Sequence, residues 1–412
     1  MHTTSINRTL TLAGFIPAGK PGNRNQARRR VAALILLSRR LGMEPGSGGK
    51  LFARVAVVCL CFLFAVGTPA QQSNRPPRFT TIDAPGAGNN TLPFGINALG
   101  AIVGYYLDAA NVYHGFLRTP NGAFTKIDAP GASTGPYEGT IAMGLNIEGA
   151  VTGYYFDSSV VSHGYVRAPN GGITTFDAVA PAGLTGSQGT FSVAISLGGT
   201  IAGFYVDATN VTHGFVRSPS GAITTFDPVG SLATYTAYFS AFNPEGAITG
   251  WYSDSSGVNH GYVRARDGGI TTFDAGAGAG LNQGTISGSI NLFGVTTGLY
   301  LDATNVYHDF VRYPGGAVTM VNVPGAGTGA YQGTVSSNIN LEGVITGQYV
   351  DANYLNHGFV RAAGGSIATF DDPDAGTGAY QGTVPLANDA EGGITGYYVD
   401  DAGVFHGFLR TQ

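Results

Sequence analysis

One motif recurs seven times along this chain at nearly constant intervals. Seven of the eight histidines begin a short segment, His-Gly-aromatic in six cases and His-Asp-Phe at His308, and the steps between them are 49, 50, 47, 48, 49 and 49 residues. These histidines are His114, His163, His213, His260, His308, His357 and His406. Such a period is typical of arrays in which each unit buries its apolar face against the next unit. The repeat therefore constrains the fold more than any other feature.

Several other positions are constant when each unit is counted from its histidine. A tyrosine stands eight residues before it, glycines stand ten and fourteen residues before it, and an arginine stands four residues after it. An aspartate stands six residues before it, at Asp108, Asp157, Asp207, Asp254, Asp302, Asp351 and Asp400. This recurrence indicates that every unit meets the same packing requirements.

The first unit reads as four short strands separated by turns. β-Branched and aromatic segments predict strands at residues 92–96, 101–107, 113–118 and 124–128, with Asn, Asp and Gly between them. The turn after the second strand ends in Asn or Gly in five of the seven units, which predicts a positive φ there. A three-residue loop at this turn would place Gly104 opposite Phe116 and Tyr106 opposite His114.

A longer connection follows each fourth strand. In the first unit it is about a dozen residues, between Asp128 and Thr140, rich in Pro, Gly and Thr. Three tight turns and one long link are what a four-stranded meander with a crossover to the next sheet needs. The sequence therefore predicts an all-β fold, a seven-bladed β-propeller of four-stranded antiparallel blades.

The two ends of the repeat region supply a prediction about closure. The seventh unit has no fourth strand of its own before Gln412, whereas residues 79–83 match the fourth strands at 223–227 and 270–274. We predict that residues 79–83 pair beside residues 404–410 and close the ring, which leaves only short sheet edges.

Charge is distributed unevenly. The first 70 residues hold 10 of the 21 Lys and Arg but only Glu44 of the 25 Asp and Glu, so the remainder carries 11 basic and 24 acidic side chains. That part has a net charge of about −13 and repels phosphate backbones, which argues against a nucleic-acid partner.

The N-terminal region has the pattern of a secretory signal. Lys50 and Arg54 precede an apolar run at residues 55–66, which small residues follow up to Ala70. The run is short for a bilayer span, so no membrane anchor is expected after cleavage. We predict a mis-assigned or disordered extension at 1–42, a signal peptide at 43–70, a linker at 71–78 and the propeller at 79–412. Both cysteines, Cys59 and Cys61, fall within the signal, so no disulfide framework is expected.

The combination of Gly-x-Tyr-x-Asp with His-Gly-Phe-x-Arg resembles the extracellular repeat family named for its His-Ala-Phe (HAF) signature. Glycine, or aspartate at Asp309, stands in place of the alanine. The resemblance covers essentially all of residues 79–412. It implies export and repetition, and it offers no catalytic residues to transfer.

The repeated Asp and His residues could be metal ligands or proton carriers. They occur once in every unit, which catalysis seldom needs, and Asp at the start of a tight turn is typical of a cap on its own backbone. We therefore interpret Tyr, Asp and His as a structural network within each blade. The repeated arginines are interpreted as ion pairs or stacked spacers.

Propeller topology places the links and the Asp-bearing turns on one acidic face. Three links carry exposed tyrosines in Thr-Gly-x-Tyr-[Glu/Gln]-Gly-Thr segments, and the fourth unit departs from the pattern by its tryptophan and its link. Aromatic rings beside amides suit sugars, although the tyrosines could equally pin the links to the ring. The candidate ligand-binding residues are Tyr137, Tyr235, Trp251, Tyr331 and Tyr380.

These observations favour an exported, monomeric binding or interaction scaffold for an unknown extracellular glycan or protein, acting through the acidic face. The alternatives are a multivalent, lectin-like carbohydrate-binding propeller and, third, a polysaccharide-active enzyme, for which no non-repeated acid/base constellation stands out. Calcium would find carboxylates here, but no dense loop of alternating Asp supports a calcium site, so no cofactor is predicted.

Overall fold

The computed structural model describes residues 76–412 apart from 89, 181, 182, 239 and 277. The predicted extension (1–42) and signal peptide (43–70), together with residues 71–75 of the linker, lie outside the described residues. All the strands belong to one compact unit. The described residues form 28 β-strands and no helix, as the alternating, glycine-punctuated sequence predicts. Accordingly, none of them forms a helix long and apolar enough to cross a membrane.

The strands fall into antiparallel meanders, which we number as units 1–7. Unit 1 is β2 (Asn90–Ile96), β3 (Ile102–Leu107), β4 (Tyr113–Arg118) and β5 (Phe124–Ile127). Unit 2 is β6 (Gly139–Leu145), β7 (Val151–Phe156), β8 (Ser162–Arg167) and β9 (Ile173–Phe176). Unit 3 is β10 (Gly189–Ile195), β11 (Ile201–Val206), β12 (Thr212–Arg217) and β13 (Ile223–Phe226). Unit 4 is β14 (Ala233–Thr236), β15 (Ile248–Ser253), β16 (Asn259–Arg264) and β17 (Ile270–Phe273).

The remaining units repeat this arrangement. Unit 5 is β18 (Gly284–Ile290), β19 (Thr296–Leu301), β20 (Tyr307–Arg312) and β21 (Val318–Val321). Unit 6 is β22 (Gly333–Ile339), β23 (Ile345–Val350), β24 (Asn356–Arg361) and β25 (Ile367–Phe370). Unit 7 is β26 (Gly382–Asn388), β27 (Ile394–Val399), β28 (Phe405–Thr411) and, from the other end of the chain, β1 (Arg78–Ile82).

The predicted closing strand pairs as expected. β1 lies antiparallel to β28, with Phe79 opposite Arg410 and Ile82 opposite Gly407. The strand begins at Arg78, within the predicted linker, and ends before Asp83. Unit 7 also contacts unit 1 directly, because Asn90 forms a one-residue parallel bridge with Phe405. The sheet is therefore closed.

The predicted hairpin register is confirmed in unit 1. Gly104 lies opposite Phe116, and Tyr106 lies opposite His114. The turn before β4 has the expected positive φ of 63° at Asn111. Val160 and Tyr354 occupy the equivalent place in units 2 and 6 with φ of 62° and 63°, which the sequence did not predict.

The core lies between neighbouring units rather than inside any one of them. One apolar cluster joins Val103 and Ile127 of unit 1 to Val151 and Tyr165 of unit 2. Polar contacts add to this: the side-chain amide of Asn97 donates to the backbone oxygen of Asn146, 49 residues later, at 3.0 Å. Each unit thus depends on its neighbour for burial, which explains the constant spacing.

The first strand of every unit except unit 4 carries a β-bulge. In β2 the register shifts between Pro93 and Gly95, and in β6 it shifts between Ala142 and Gly144. A bulge bends the strand and re-aims the extra side chain. In unit 4 the short strand β14 ends at Thr236 instead.

Candidate functional site

The long links and the turns between second and third strands lie at one end of the sheet, which we call the link face. The backbone N–H of Tyr113, at the start of β4, donates to the oxygen of Glu138 in the link at 2.8 Å. The N–H of Tyr137 donates to the oxygen of Asn111, in the turn before β4, at 2.7 Å. These bonds hold each link against the adjacent turn.

Six of the seven repeated histidines are each held between two carboxylates at the link face. In unit 1, Nδ1 of His114 lies 2.7 Å from Asp128 at the end of β5, and Nε2 lies 3.4 Å from Asp108 in the turn. We call this arrangement the histidine clamp. The other clamps pair His163 with Asp177 and Asp157, His213 with Asp227 and Asp207, His260 with Asp274 and Asp254, His357 with Asp371 and Asp351, and His406 with Asp83 and Asp400.

The turn aspartate has two tasks. One carboxylate oxygen of Asp108 accepts the backbone N–H groups of Ala110 and Val112 at 2.8 and 2.9 Å, which is the predicted cap. The other oxygen faces the imidazole. The repeated tyrosine stacks on the ring, with centroids 5.0 Å apart for Tyr155 and His163. It therefore joins the network through its ring face.

Hydrogen bonding shifts the charge states within the clamps. The hydrogen bond to Asp177 is the main effect raising the pKa of His163. Backbone donation from Val211 is the largest cause that lowers the pKa of Asp207 to about 2. The clamp of unit 2 therefore favours the protonated imidazole of His163, and the turn of unit 3 favours the ionised carboxylate of Asp207.

Unit 5 departs from this pattern. Asn322 takes the place of the second aspartate. Among the described residues, His308 therefore contacts one carboxylate, that of Asp302, at 3.0 Å. The same unit has Asp309 where the other six have glycine. Asp309 is fully buried, Ser336 donates to it at 2.7 Å, and burial raises its pKa to about 8.

Four of the seven repeated arginines lie on aromatic rings of the preceding unit. The guanidinium carbon of Arg217 is 4.7 Å from the centre of the Phe176 ring, and that of Arg410 is 4.6 Å from the centre of the Phe370 ring. Of the two interpretations offered by the sequence, this geometry matches the stacked spacer. These four arginines face the interior between units.

No group of three or more His, Cys, Asp or Glu side chains in the described part of the chain could hold a metal ion. The clamp carboxylates are instead engaged by imidazoles and turn amides, as in Asp108.

Three link tyrosines share an unusual backbone conformation. Tyr137, Tyr331 and Tyr380 have φ of 61°, 61° and 65°, and their side chains are 62%, 56% and 73% exposed. A positive φ is uncommon for a bulky residue and concentrates at functional sites. Each N–H is anchored to the neighbouring turn, as for Tyr331, which donates to the oxygen of Asn305.

A cavity of about 440 Å³ lies between units 1 and 2 and reaches Ser187 and, in unit 4, Tyr238. We call it the tyrosine cavity. Its wall includes Phe94, Tyr105, Tyr113, Tyr137, Met143 and Tyr154. Phe94 stacks on Tyr105 at 5.5 Å, and Tyr105 meets Tyr113 edge-on at 5.4 Å. Phe94 and Met143 are the extra residues of the two β-bulges, so the bulges aim side chains into this space.

A second cavity, of about 430 Å³, lies between units 4 and 5. We call it the tryptophan cavity. Its wall includes Tyr235, Trp251, Ser253, Asn259, Asn282 and Tyr307. Tyr235 and Trp251 are cross-strand partners in β14 and β15, and their rings stack at 5.2 Å with an angle of 15°.

The predicted ligand-binding residues are thus distributed over two places. Tyr137 lines the tyrosine cavity, and Tyr235 and Trp251 line the tryptophan cavity. Tyr331 contacts Tyr307, and Tyr380 contacts Tyr354, but neither lines either cavity. The side chains of these two tyrosines are exposed.

Sequence reasoning missed Tyr105, Tyr113 and Tyr154, which form much of the tyrosine cavity. Tyr105 and Tyr154 could have been identified from a repeat position at which the residue type varies between units. Nine residues before the histidine, between constant positions, the seven units carry Tyr105, Tyr154, Phe204, Trp251, Leu299, Gln348 and Tyr397. A position that varies between invariant ones indicates a role that differs from unit to unit.

No protein-family model and no curated protein matches the sequence. Among solved structures the chain is similar to the BP39L lectin from Burkholderia pseudomallei, at 10% identity over 78% of this chain and 98% of that one, with a TM-score of 0.45. It is also similar to AofleA from Arthrobotrys oligospora, at 12% identity over 81% and 89% of the two chains, with a TM-score of 0.39. A third similar structure is puromycin hydrolase, at 10% identity and a TM-score of 0.45. The match covers 79% of this chain but only 53% of the hydrolase, so this chain spans about half the length of that protein.

Proposed function

We propose that this protein is an exported seven-bladed β-propeller that binds carbohydrate through its link face. Units 1–7 would be the blades, with β1 completing the seventh. Export rests on the predicted signal at residues 43–70, and binding rests on the tyrosine cavity. The sequence leaves a glycan or a protein open as the ligand, and the chemistry of this cavity favours the glycan.

The chemistry of the tyrosine cavity is the observation that carries this proposal. Aromatic rings supply flat apolar faces, which suit the C–H face of a pyranose, and phenolic hydroxyls supply donors and acceptors for its hydroxyl groups. Burial raises the pKa of Tyr105 to about 12, so its hydroxyl stays protonated and neutral at physiological pH. A volume of about 440 Å³ lies within the range of small-ligand pockets.

The wall of the cavity also indicates a ligand without charge. The lining residues are aromatic, aliphatic or hydroxyl-bearing, and none of them is Asp, Glu, Lys, Arg or His. An anionic sugar would find no cation there and would approach an acidic face. A neutral glycan meets neither obstacle.

Backbone strain at the cavity supports a role in binding. Tyr137 and Val160 line the cavity with φ of 61° and 62°. A β-branched residue in the left-handed region is costly, of the order of 1–3 kcal/mol. Strain of this kind persists at binding sites because the surrounding structure holds a ligand-contacting conformation.

Glycan-array binding of the purified protein tests the proposal, followed by calorimetry with the glycans that bind. Tyr137→Ala should weaken binding at least tenfold, because it removes an exposed ring from the rim. Tyr380→Ala is the matched control, since it removes a ring at the same link position outside either cavity. The thermal midpoints of both variants should match the parent protein.

Two results would refute this function. One is a protein that binds no neutral glycan on the array. The other is equal loss of binding in Tyr137→Ala and Tyr380→Ala, which would move the site away from the tyrosine cavity. Tyr113→Leu provides a second test from inside the cavity and should also weaken binding.

A further inference from the structure

We propose that the tryptophan cavity between units 4 and 5 is a second binding subsite for a neutral hexose or deoxyhexose. The ligand class rests on the proposed function, whereas the site rests on its own residues. Trp251 and Tyr235 form its aromatic wall, and Asn259 supplies its buried polar group. Unit 4 is the unit in which the repeat departs most from its pattern, and this cavity is where the departures meet.

The aromatic wall is rigid. Trp251 stacks on Tyr235 at 5.2 Å and contacts Tyr238 at 5.9 Å. Tyr235 and Trp251 are held at paired backbone positions of adjacent strands. A large ring fixed on one side by a second ring loses little conformational freedom when a ligand covers the other side. Such a wall suits the apolar face of a sugar.

Asn259 supplies the buried polar group. It is only 7% exposed and lines the cavity. Its side-chain oxygen accepts the hydroxyl of Ser253 at 2.7 Å, and among the described residues its Nδ2 group has no hydrogen-bond acceptor. The Nδ2 atom itself is not fully buried, so it is open to water or to a ligand. A sugar hydroxyl in the cavity would accept its hydrogen bond.

The equivalent residue in unit 6 shows the contrast. Asn356 also stands directly before its histidine, but its Nδ2 group donates to the backbone oxygen of Gln381 at 2.9 Å. That amide is used within the protein, whereas Asn259 faces a cavity. The same sequence position therefore has a structural role in unit 6 and is free to bind in unit 4.

The rim of the cavity carries a further polar side chain at the link face. Asn282 has φ of 62° and stands in its link where Tyr137, Tyr331 and Tyr380 stand in theirs. No Asp, Glu, Lys, Arg or His lines the cavity. The site is therefore neutral, with amide donors and aromatic faces, and its chemistry fits an uncharged sugar.

Two subsites on one face would make the protein bivalent. A polysaccharide that reaches both would bind with an effective concentration set by the spacing of its sugars, which strengthens binding without new contacts. Loss of one subsite should then weaken polymer binding more than it weakens binding of a monosaccharide at the other subsite.

Trp251 lines the cavity and is the only tryptophan of the chain, so its fluorescence can report ligand binding there. We suggest fluorescence titration of the protein with the methyl glycosides of glucose, galactose, mannose, fucose and N-acetylglucosamine. At least one should change the Trp251 emission saturably. Asn259→Ala and Tyr235→Leu should each weaken that response at least tenfold, whereas Asn356→Ala and Tyr137→Ala should leave it unchanged.

The outcomes separate this subsite from the proposed function. If glycans bind in a Tyr137-dependent manner while Trp251 emission never responds, the second subsite is wrong and the function stands. If emission responds but Asn259→Ala and Tyr235→Leu have no effect, the subsite is also wrong. If no glycan binds by calorimetry or fluorescence, both proposals fail. Tyr235→Leu keeps the test valid should Asn259→Ala prove unstable.

Discussion

The Nδ1 atom of His213 lies 2.7 Å from the carboxylate of Asp227, while Nε2 of the same ring lies 3.5 Å from Asp207. Asp227 follows the fourth strand of unit 3, and Asp207 begins the turn before the third strand. One imidazole therefore ties three parts of the unit together at the link face. The repetition of this clamp explains why histidine and aspartate recur in every unit.

Replacing the clamp histidine should cost stability without abolishing ligand binding. His213→Ala leaves Asp207 and Asp227 without the imidazole, and we expect the free energy of unfolding to fall by about 1 kcal/mol, the usual contribution of a partly exposed charge-assisted bond. Chemical denaturation at pH 6 measures it. Glycan binding should persist because the clamp lines neither cavity.

Unit 5 provides the internal control for this variant. His308 has Asn322 in place of the second aspartate, so His308→Ala removes one carboxylate contact rather than two. We expect a smaller loss of stability from His308→Ala than from His213→Ala. Equal losses would show that the second carboxylate contributes nothing measurable.

Asp309 should make the protein less stable as the pH rises. Burial raises its pKa to about 8, whereas the ordinary value is 3.8, so the folded carboxyl keeps a proton that the unfolded chain releases between these values. Its contribution is fully present below pH 3.8 and is lost as the pH rises to about 8. Asp309→Asn cannot ionise, so its stability advantage over the parent should grow with pH by up to about 1.4 kcal/mol per unit. Urea denaturation from pH 4 to 8 measures it, and a constant difference would contradict the prediction.

A paired substitution tests why Asp309 is tolerated at all. It lies opposite Val321, whereas the glycine at this place in units 2, 3, 4 and 6 is covered by a phenylalanine, as Gly214 is by Phe226. Val321→Phe alone should therefore clash and destabilise, while Asp309→Gly with Val321→Phe should restore stability. Failure of the double variant to recover would mean that the two residues are not coupled.

The closing strand should be essential for stability. Ile82 is 1% exposed, and the Phe79 ring lies 6.1 Å from the rings of both Phe370 and Phe408. A variant that begins at Asp83 loses β1 and leaves β28 as an open edge, so we expect loss of more than about 4 kcal/mol or aggregation. A variant that begins at Pro76 keeps β1 and is the control. Matching thermal midpoints for the two truncations would overturn the closing role.

Local pattern predicted most of the strands because recurrence marks equivalent environments. β4 was predicted to the residue as 113–118, and the positive φ at Asn111 followed from the turn. β2 begins at Asn90, two residues before the predicted start, because Asn90 bridges Phe405 in the last unit. A contact between residues near opposite ends of the repeat region produces no pattern in the local sequence.

The site was less accessible to sequence reasoning. Asp128 lies 14 residues after His114, and its place in the clamp depends on how β4 and β5 align. Tyr105 and Tyr154 follow a core pattern in sequence, yet they line a cavity because neighbouring units leave space between them. The size of such a cavity depends on side chains from neighbouring units, so the sequence of one unit does not predict it.

Val160 should respond in opposite directions in stability and binding. It has φ of 62° in a turn where units 1, 3 and 5 use Asn and units 4 and 7 use Gly. Val160→Gly relieves the strain of a β-branched residue in the left-handed region, so we expect the free energy of unfolding to rise by about 1 kcal/mol. Val160 also lines the tyrosine cavity, so the same change should weaken glycan binding. Asn210→Gly, at the equivalent turn of unit 3, loses the bond that its Oδ1 accepts from Gln188 Nε2 at 2.9 Å, so it should lower stability and leave binding unchanged. If Val160→Gly also lowered stability, or left it unchanged, strain would not explain the valine at this position.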